Sequence, residues 1–281
     1  MKLIAHQYGK ERVRVLKVFR DGARHTVKEL DVSVSLSGDF ESSFSSDDNG
    51  KVVPTDTMRN TVNVLAKRHL GDESERFAEL LARHFIEKYP QVETVRIETN
   101  ERVWERMSIG GVVHPHSFSS PGQFRPFTIA TASGSSVSLQ SGIRDLLVLK
   151  SAESGFSGFP RCEYTTLPET DDRVLATSLA ATWAWGKAPA DYNTANTTIL
   201  SALLRPFAET FSPSVQATLF QMGKAALGAC GDIDSIHLAA PNKHCLLVNL
   251  APFGLTNRNE IFVPTDEPHG QIEATLGRGH N

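Results

Sequence analysis

The sequence predicts an α+β fold in two tandem halves, each an antiparallel sheet with helices on one face. Three observations predict it. Strand-like and helix-like stretches recur in one order, strand–strand–helix–helix–strand–strand, in both halves. Short turn signals join neighbouring strands, which implies antiparallel hairpins, with helices covering one sheet face. The segment GDFESSF precedes the first helix of one half, and ESGFSGF precedes the first helix read in the other. The uncovered sheet face calls for a closed assembly of several subunits.

The Val-rich residues 12–20 read as a strand ended by the turn pair Asp21-Gly22. Leu30, Val32, Val34 and Leu36 then alternate with Asp31, Ser33 and Ser35, the mark of a half-buried strand. TDTMRNTVNVLAKRHL follows as a helix with Thr55 or Asp56 as its N-cap. Phe77, Leu80, Leu81, His84 and Phe85 fall on one face of a second helix, which Pro90 ends. VETVRIET and RVWERM read as strands. From Ser108 to Phe124, nine of seventeen residues are Gly, Ser or Pro, so a boundary is expected there, with domains 1–120 and 121–281. In the second half PFTIATASG and VSLQSG, continued by DLLVLKSA, read as strands. DDRVLATSLAATWAW reads as a helix, NTTILSALLRPFAETF as one interrupted near Pro206, and SPSVQATLFQMGKAAL as a third. DSIHLAA and HCLLVNL read as two strands joined by PNK.

Composition narrows the function. The 281 residues are 40% hydrophobic and 22% charged, enough for a sizeable core without staples. The net charge of −3 gives no electrostatic footprint for nucleic acid or an anionic membrane. Cys162, Cys230 and Cys245 are odd in number and form no CxxC, so a reducing, cytoplasmic compartment is expected. No signal peptide, membrane span or peroxisomal tail is read, the chain ending GRGHN. No GxGxxG follows a strand, and no P-loop or HExxH is present, so no cofactor is demanded.

Several residues carry chemistry. In SPSVQ, Ser212 fits an N-cap and Pro213 the first helical position, leaving the N–H groups of Ser214 and Val215 aimed past the helix start, where an anion is favoured. Gln216 offers a carbonyl and an NH₂ together, matching one edge of a purine or pterin, although a plain capped helix accounts for the segment equally. Arg173 stands after two acidic residues at a predicted helix start, where the dipole does not favour a cation. Its fork suits a planar anion edge, or else pairs with Asp171 or Asp172. Asn242 and His244 share a strand face that Leu246 and Val248 continue, as polar groups at a pocket mouth would, or as a turn Asn and a satisfied His. Lys10 follows Tyr8-Gly9 and reads on its own as an exposed lysine. His114 and His116 could face one metal but lack a recognisable third ligand.

Taken together, YGKERVRV, PTDTMRNTVNVLAK, FAELLARHF, HPHSF, DLLVLKSAESGFSGF, EYTTLPETDDRVLAT, FSPSVQATLF, PNKH and PFGLTNRNEIFVPTDEPHGQIEAT resemble the urate oxidase (uricase) family, in order from residue 8 to about 275. The resemblance implies two tunnelling-fold (T-fold) domains per chain and a homotetramer around a β-barrel tunnel, with active sites at subunit interfaces. It implies cofactor-independent oxidation of urate by O₂ and water to 5-hydroxyisourate and H₂O₂ in purine degradation. Arg173 would hold urate N3 and O2, Gln216 N1 and O6, Phe156 would stack under the ring, and the Val215 N–H would add a contact. Thr55 and Asp56 would reach in from a neighbouring subunit. Lys10, Thr55 and His244 would relay protons, and Asn242 with Thr55 would hold the place of dioxygen and then water. No metal is implied. The chain departs from the family's frequent Asp and Tyr at Cys162 and Asn63. Two competing readings are a zinc-dependent pterin- or purine-transforming enzyme of the same fold, with zinc at His114 and His116, and a catalytically inactive purine-binding relative.

Overall fold

The structure, a computed structural model, describes residues 2–122 and 124–279. Gln123 of the linker-like stretch and the last two residues of the chain end lie outside the described residues. The chain folds as two compact units. One holds residues up to Gly142 together with Lys187–Asn193; the other holds Ile143–Gly186 together with Thr194 onward.

The first unit begins with β1 (Tyr8–Asp21) and β2 (Arg24–Gly38), an antiparallel hairpin turned at Gly22, where φ is +62°. A short α1 (Glu41–Ser45) leads to α2 (Thr55–His69) and α3 (Ser74–Lys88). β3 (Val92–Arg102) returns antiparallel to β2. β4 (Glu105–Ile109) and β5 (Val112–Ser119) form a separate hairpin, and β6 (Arg125–Ser133) pairs with β3. The sheet order is therefore β1-β2-β3-β6.

The alternation read in β2 sets this core. Leu30, Val32, Val34 and Leu36 are all fully buried. Met58 and Val62 of α2 and Phe77, Leu81 and Phe85 of α3 belong to the same cluster, with Val95 and Ile97 of β3. α3 presents these residues at helical spacing, so its apolar stripe packs onto the sheet while Glu79 and Arg83 pair outside at 2.7 Å. Leu80 and His84, at the margin of that stripe, are only partly buried.

In the second unit, β7 (Ser136–Lys150) contributes its part from Ile143 onward. β8 (Leu175–Trp185), α4 (Tyr192–Glu209), α5 (Val215–Ala229), β9 (Ile233–Leu247) and β10 (Phe262–Gly277) follow. β9 lies between β8 and β10, antiparallel to both. Its core joins Leu179, Ala181 and Trp183 of β8 to Ile236 and Leu238 of β9 and to Leu203, Leu219 and Met222 of the helices.

Several expectations are corrected. Residues 175–185 are strand, not helix: Leu175, Thr177, Leu179, Ala181 and Trp183 are buried at a period of two. The Ala and Leu content suggested a helix, but burial between neighbouring strands overrides propensity. ESGFSGF consequently lies between two strands, whereas GDFESSF runs from the end of β2 into α1, so the two do not correspond. PNK is no turn. β9 runs through it, and the register with β8 is the same on either side of Pro241, at Thr177 opposite Asn242 and Ala180 opposite Ala239. The strand β10 in the tail was not foreseen. The Gly/Ser/Pro-rich stretch after Ser108 is largely the β5 side of a hairpin. Pro206 does not interrupt α4, because it stands near the last turn, where Leu203 and Phe207 anchor the helix in the core.

No helix among the described residues is long and apolar enough to cross a membrane. Phe85 is fully exposure-free in the centre of the first unit's core. Replacing it by Ala should cost about 3–5 kcal/mol. Urea unfolding at fixed protein concentration checks this, and an unchanged midpoint would contradict the packing described.

Candidate active site

Three segments remote in sequence meet in the second unit. The Gly155 N–H donates to the Ser212 carbonyl at 2.9 Å, and the Ser212 N–H donates to the Glu153 carbonyl at 2.9 Å. Phe156 and Thr170 exchange backbone hydrogen bonds of 2.7 and 3.0 Å, and the Arg173 N–H donates to the Ser154 carbonyl at 2.9 Å. Gly155 permits this closeness. A Cβ there would stand 2.8 Å from the Thr170 carbonyl oxygen and 3.2 Å from the Phe211 ring. Lys150 braces the far side, donating to the Thr210 carbonyl at 2.8 Å and the Ser212 hydroxyl at 3.4 Å. Burial lowers the pKa of this lysine.

Arg173 and Phe156 are fixed by that junction. The Arg173 guanidinium carbon lies 5.6 Å from the Phe156 ring centroid, and its Nε–H donates to Ser154 Oγ at 3.2 Å. Phe156 in turn stacks on Phe159 at 4.9 Å, with planes 14° apart. Arg173 does not open a helix and pairs with neither Asp171 nor Asp172. Asp172 instead accepts from Asn259 at 3.1 Å. Among the described residues, no hydrogen bond engages Nη1 or Nη2 of Arg173. Burial lowers its pKa, but a guanidinium starts so far above neutrality that it stays charged.

The start of α5 adjoins this junction two residues after Ser212. The N-cap is Ser214, not Ser212: its side chain accepts from the Ala217 N–H at 3.1 Å. Val215 and Gln216 therefore occupy the first two helical positions, whose N–H groups have no intrahelical acceptor. The dipole adds positive potential at the same place. Val215 is buried and Gln216 is exposed.

The direction of α5 along β9 is set by its later turns. A Cβ on Gly223 would lie 2.8 Å from Leu276, which stands opposite Ile236. Arg278 binds the carbonyls of Leu227 and Cys230 at 2.7 and 2.6 Å, and its own N–H binds Asp234 at 3.0 Å. So α5 descends from the later part of β9 toward its beginning. The eight residues from Gly223 back to Val215 span about 12 Å, the length of about four strand residues. Asn242 and His244 follow Ala240 on β9, toward the end of the strand away from Ile233. These two continue the parity of the buried Ile236, Leu238 and Ala240. The core precedes them; it does not follow, since Leu246 is 57% exposed. Opposite Asn242 stands Thr177, whose buried Oγ1 has no hydrogen-bond partner among the described residues.

Lys10, Thr55 and Asp56 belong to the first unit. Lys10 stands opposite Val34, next to a bulge between Lys10 and Val13, so its side chain lies on the helix-covered face. The Tyr8 hydroxyl accepts from the Val53 N–H at 2.8 Å, while Lys17 donates to the Leu70 carbonyl at 2.6 Å. α2 thus runs alongside β1, with its first turn at the Lys10 end. Pro54 holds the N-cap position, so Thr55 and Asp56 are the first two helical residues, not caps. Both are exposed, and Asp56 pairs with Arg59 at 2.6 Å and accepts from Asn60 at 2.9 Å.

His114 and His116 lie on β5 with ring centroids 4.6 Å apart, and no group of three or more potential metal-ligating side chains occurs among the described residues. Sequence reasoning misses Ser154, Gly155 and Lys150, and assigns Ser212 to a cap rather than to the junction. The available signal is the small pair Ser154-Gly155 before an aromatic residue in ESGFSGF.

The family described as Uricase matches the chain over residues 6–131 and 139–273. A uricase of Arthrobacter globiformis is 41% identical over 273 residues, covering 97% of this chain and 89% of that protein. A uricase of Dictyostelium discoideum is 37% identical over 282 residues, covering 99% and 98%. The crystal structure of the Arthrobacter globiformis uricase matches with a TM-score of 0.94 at 40% identity, covering 100% of this chain and 97% of that one. Urate oxidase from Bacillus sp. TB-90 shares the fold, with a TM-score of 0.83 at 21% identity, covering 98% and 100%. The match extends through β1, the start of α5 and the Asn242–His244 segment, and by it this chain belongs to the uricase family.

Proposed function

We propose that this protein oxidises urate with dioxygen and water to 5-hydroxyisourate and hydrogen peroxide, without a cofactor, in purine degradation. The observation that carries this reading is the charged Arg173 fork above Phe156, whose Nη1 and Nη2 are unengaged among the described residues, close in the fold to the start of α5. Urate is a planar anion. In this reading Arg173 grips N3 and O2, Gln216 grips N1 and O6, Phe156 forms the floor, and the Val215 N–H adds a ring contact. A charged fork and a helix start stabilise the charge spread over the ring.

Dioxygen in its triplet ground state does not accept an electron pair directly, and many oxidases use a metal or flavin to overcome this. Urate deprotonated further is itself an electron donor. Lys10, with Thr55 and His244, takes the proton, and one electron passes to dioxygen held near Asn242 and Thr55. Recombination at C5, loss of peroxide and addition of water give the product. The sum balances: urate, O₂ and H₂O become 5-hydroxyisourate and H₂O₂.

Thr55 and Asp56, exposed at the start of α2, reach a site on a neighbouring copy in this scheme. We assign the two halves, expected at 1–120 and 121–281, to T-fold domains, with β6 counted to the first by its pairing with β3, assembled as a homotetramer around a β-barrel tunnel. Support comes from apolar side chains left open on strands of the second unit, with Leu147 67%, Leu246 57% and Val263 51% exposed. The three free cysteines agree with a cytoplasmic location.

Chelator-treated protein in air-saturated buffer should consume urate and O₂ in equal amounts and release peroxide. Binding without consumption would make it an inactive relative, and activity only after added zinc would refute cofactor independence. Arg173→Gln should weaken urate binding by roughly 10- to 100-fold, the worth of a hydrogen bond to a charged group, as read by anaerobic titration. Lys10→Met should keep the urate Kd and lower kcat by about 10²- to 10⁴-fold. Unchanged turnover in that variant would remove Lys10 from the mechanism.

A further inference from the structure

We propose that Ser154 is a positioning residue for Arg173, fixing which edge of the guanidinium meets the substrate. This inference rests on the reading of Arg173 as the urate-binding fork.

Ser154 is fully buried and holds Arg173 at both ends. Its carbonyl accepts the Arg173 backbone N–H at 2.9 Å, and its hydroxyl accepts the Nε–H at 3.2 Å. A guanidinium can offer a planar anion either its side, Nε with one Nη, or its end, Nη1 with Nη2. With Nε–H committed to Ser154, the end is what remains, and among the described residues nothing else engages it. The guanidinium carbon stands over the Phe156 ring, 5.6 Å from its centroid, and the Phe156 backbone is clamped to Thr170. The next residue, Gly155, cannot carry a Cβ without striking the Thr170 carbonyl. Ser154 is therefore a fixed post: Gly155 and Glu153 on either side are tied to Ser212, and Lys150 ties Ser212 in turn. A long arginine side chain loses much rotational freedom on binding, and a post that removes this freedom beforehand raises affinity without touching the ligand.

A double-mutant cycle read by anaerobic urate titration tests this. Ser154→Ala should raise the urate Kd and KM by roughly tenfold, with kcat reduced much less. Ser154→Cys keeps the size but offers only a weak acceptor, and should behave as Ala does. In an Arg173→Lys background, which has no Nε–H, Ser154→Ala should cause no further loss. Thermal melting of each variant guards against misfolding. Unchanged Kd in both single variants, or an equal loss in the Arg173→Lys background, would overturn the proposal by showing that Ser154 only packs. A wild-type protein that binds no urate would overturn the functional reading and this inference with it.

Discussion

The backbone junction of Ser154, Thr170 and Ser212 is the constraint on which the candidate site depends. Its hydrogen bonds link segments that share no regular element: the beginning of the β7–β8 connection, its end, and the residue two before the α5 cap. Each bond satisfies a group that would otherwise be buried unpaired at real cost. The same bonds set Arg173, Phe156 and the α5 start against one another. The close approach is possible because Gly155 has no side chain.

Electrostatics then follow from position. Arg173 is partly desolvated and keeps its charge, and the first N–H groups of α5 add partial positive charge nearby. Away from bulk water such charges act on an anion more strongly than at an open surface. The aromatic pair Phe156 and Phe159 gives a flat, apolar support beneath the fork. The charge and the flat ring are thus supplied by different side chains on one fixed loop.

In the first unit, positioning comes from ordinary core packing. The alternation of β2 and the apolar stripes of α2 and α3 set the helices on the sheet, and Tyr8 and Lys17 fix the direction of α2 along β1. This much was legible, because a period of two and a period of 3.6 are written directly in side-chain spacing. The second unit was less legible. Residues 175–185 carry strong helix formers, and only burial between strands makes them β8. Pro241 read as a break, yet the ladder keeps its register across it. Ser212 and Ser214 both suit a cap, and the sequence does not say which one the helix uses; the junction commits Ser212 to backbone pairing and leaves Ser214 to the helix.

The sequence by itself determined the α+β class, the core face of β2, the two helices of the first unit and, through motifs spread along the chain, membership of the family. It singled out Arg173 and Gln216 as residue types suited to one edge of a planar ring or anion, and Asn242 and His244 as polar groups on one strand face. Tertiary structure alone decided that Arg173 leads into a strand, that β9 is continuous, and that Ser154 takes the Nε–H of a residue 19 positions away. The reason is physical. Periodicity and caps are local and survive in a one-dimensional record. A hydrogen bond between remote segments depends on where folding brings them, and no spacing in the chain encodes it.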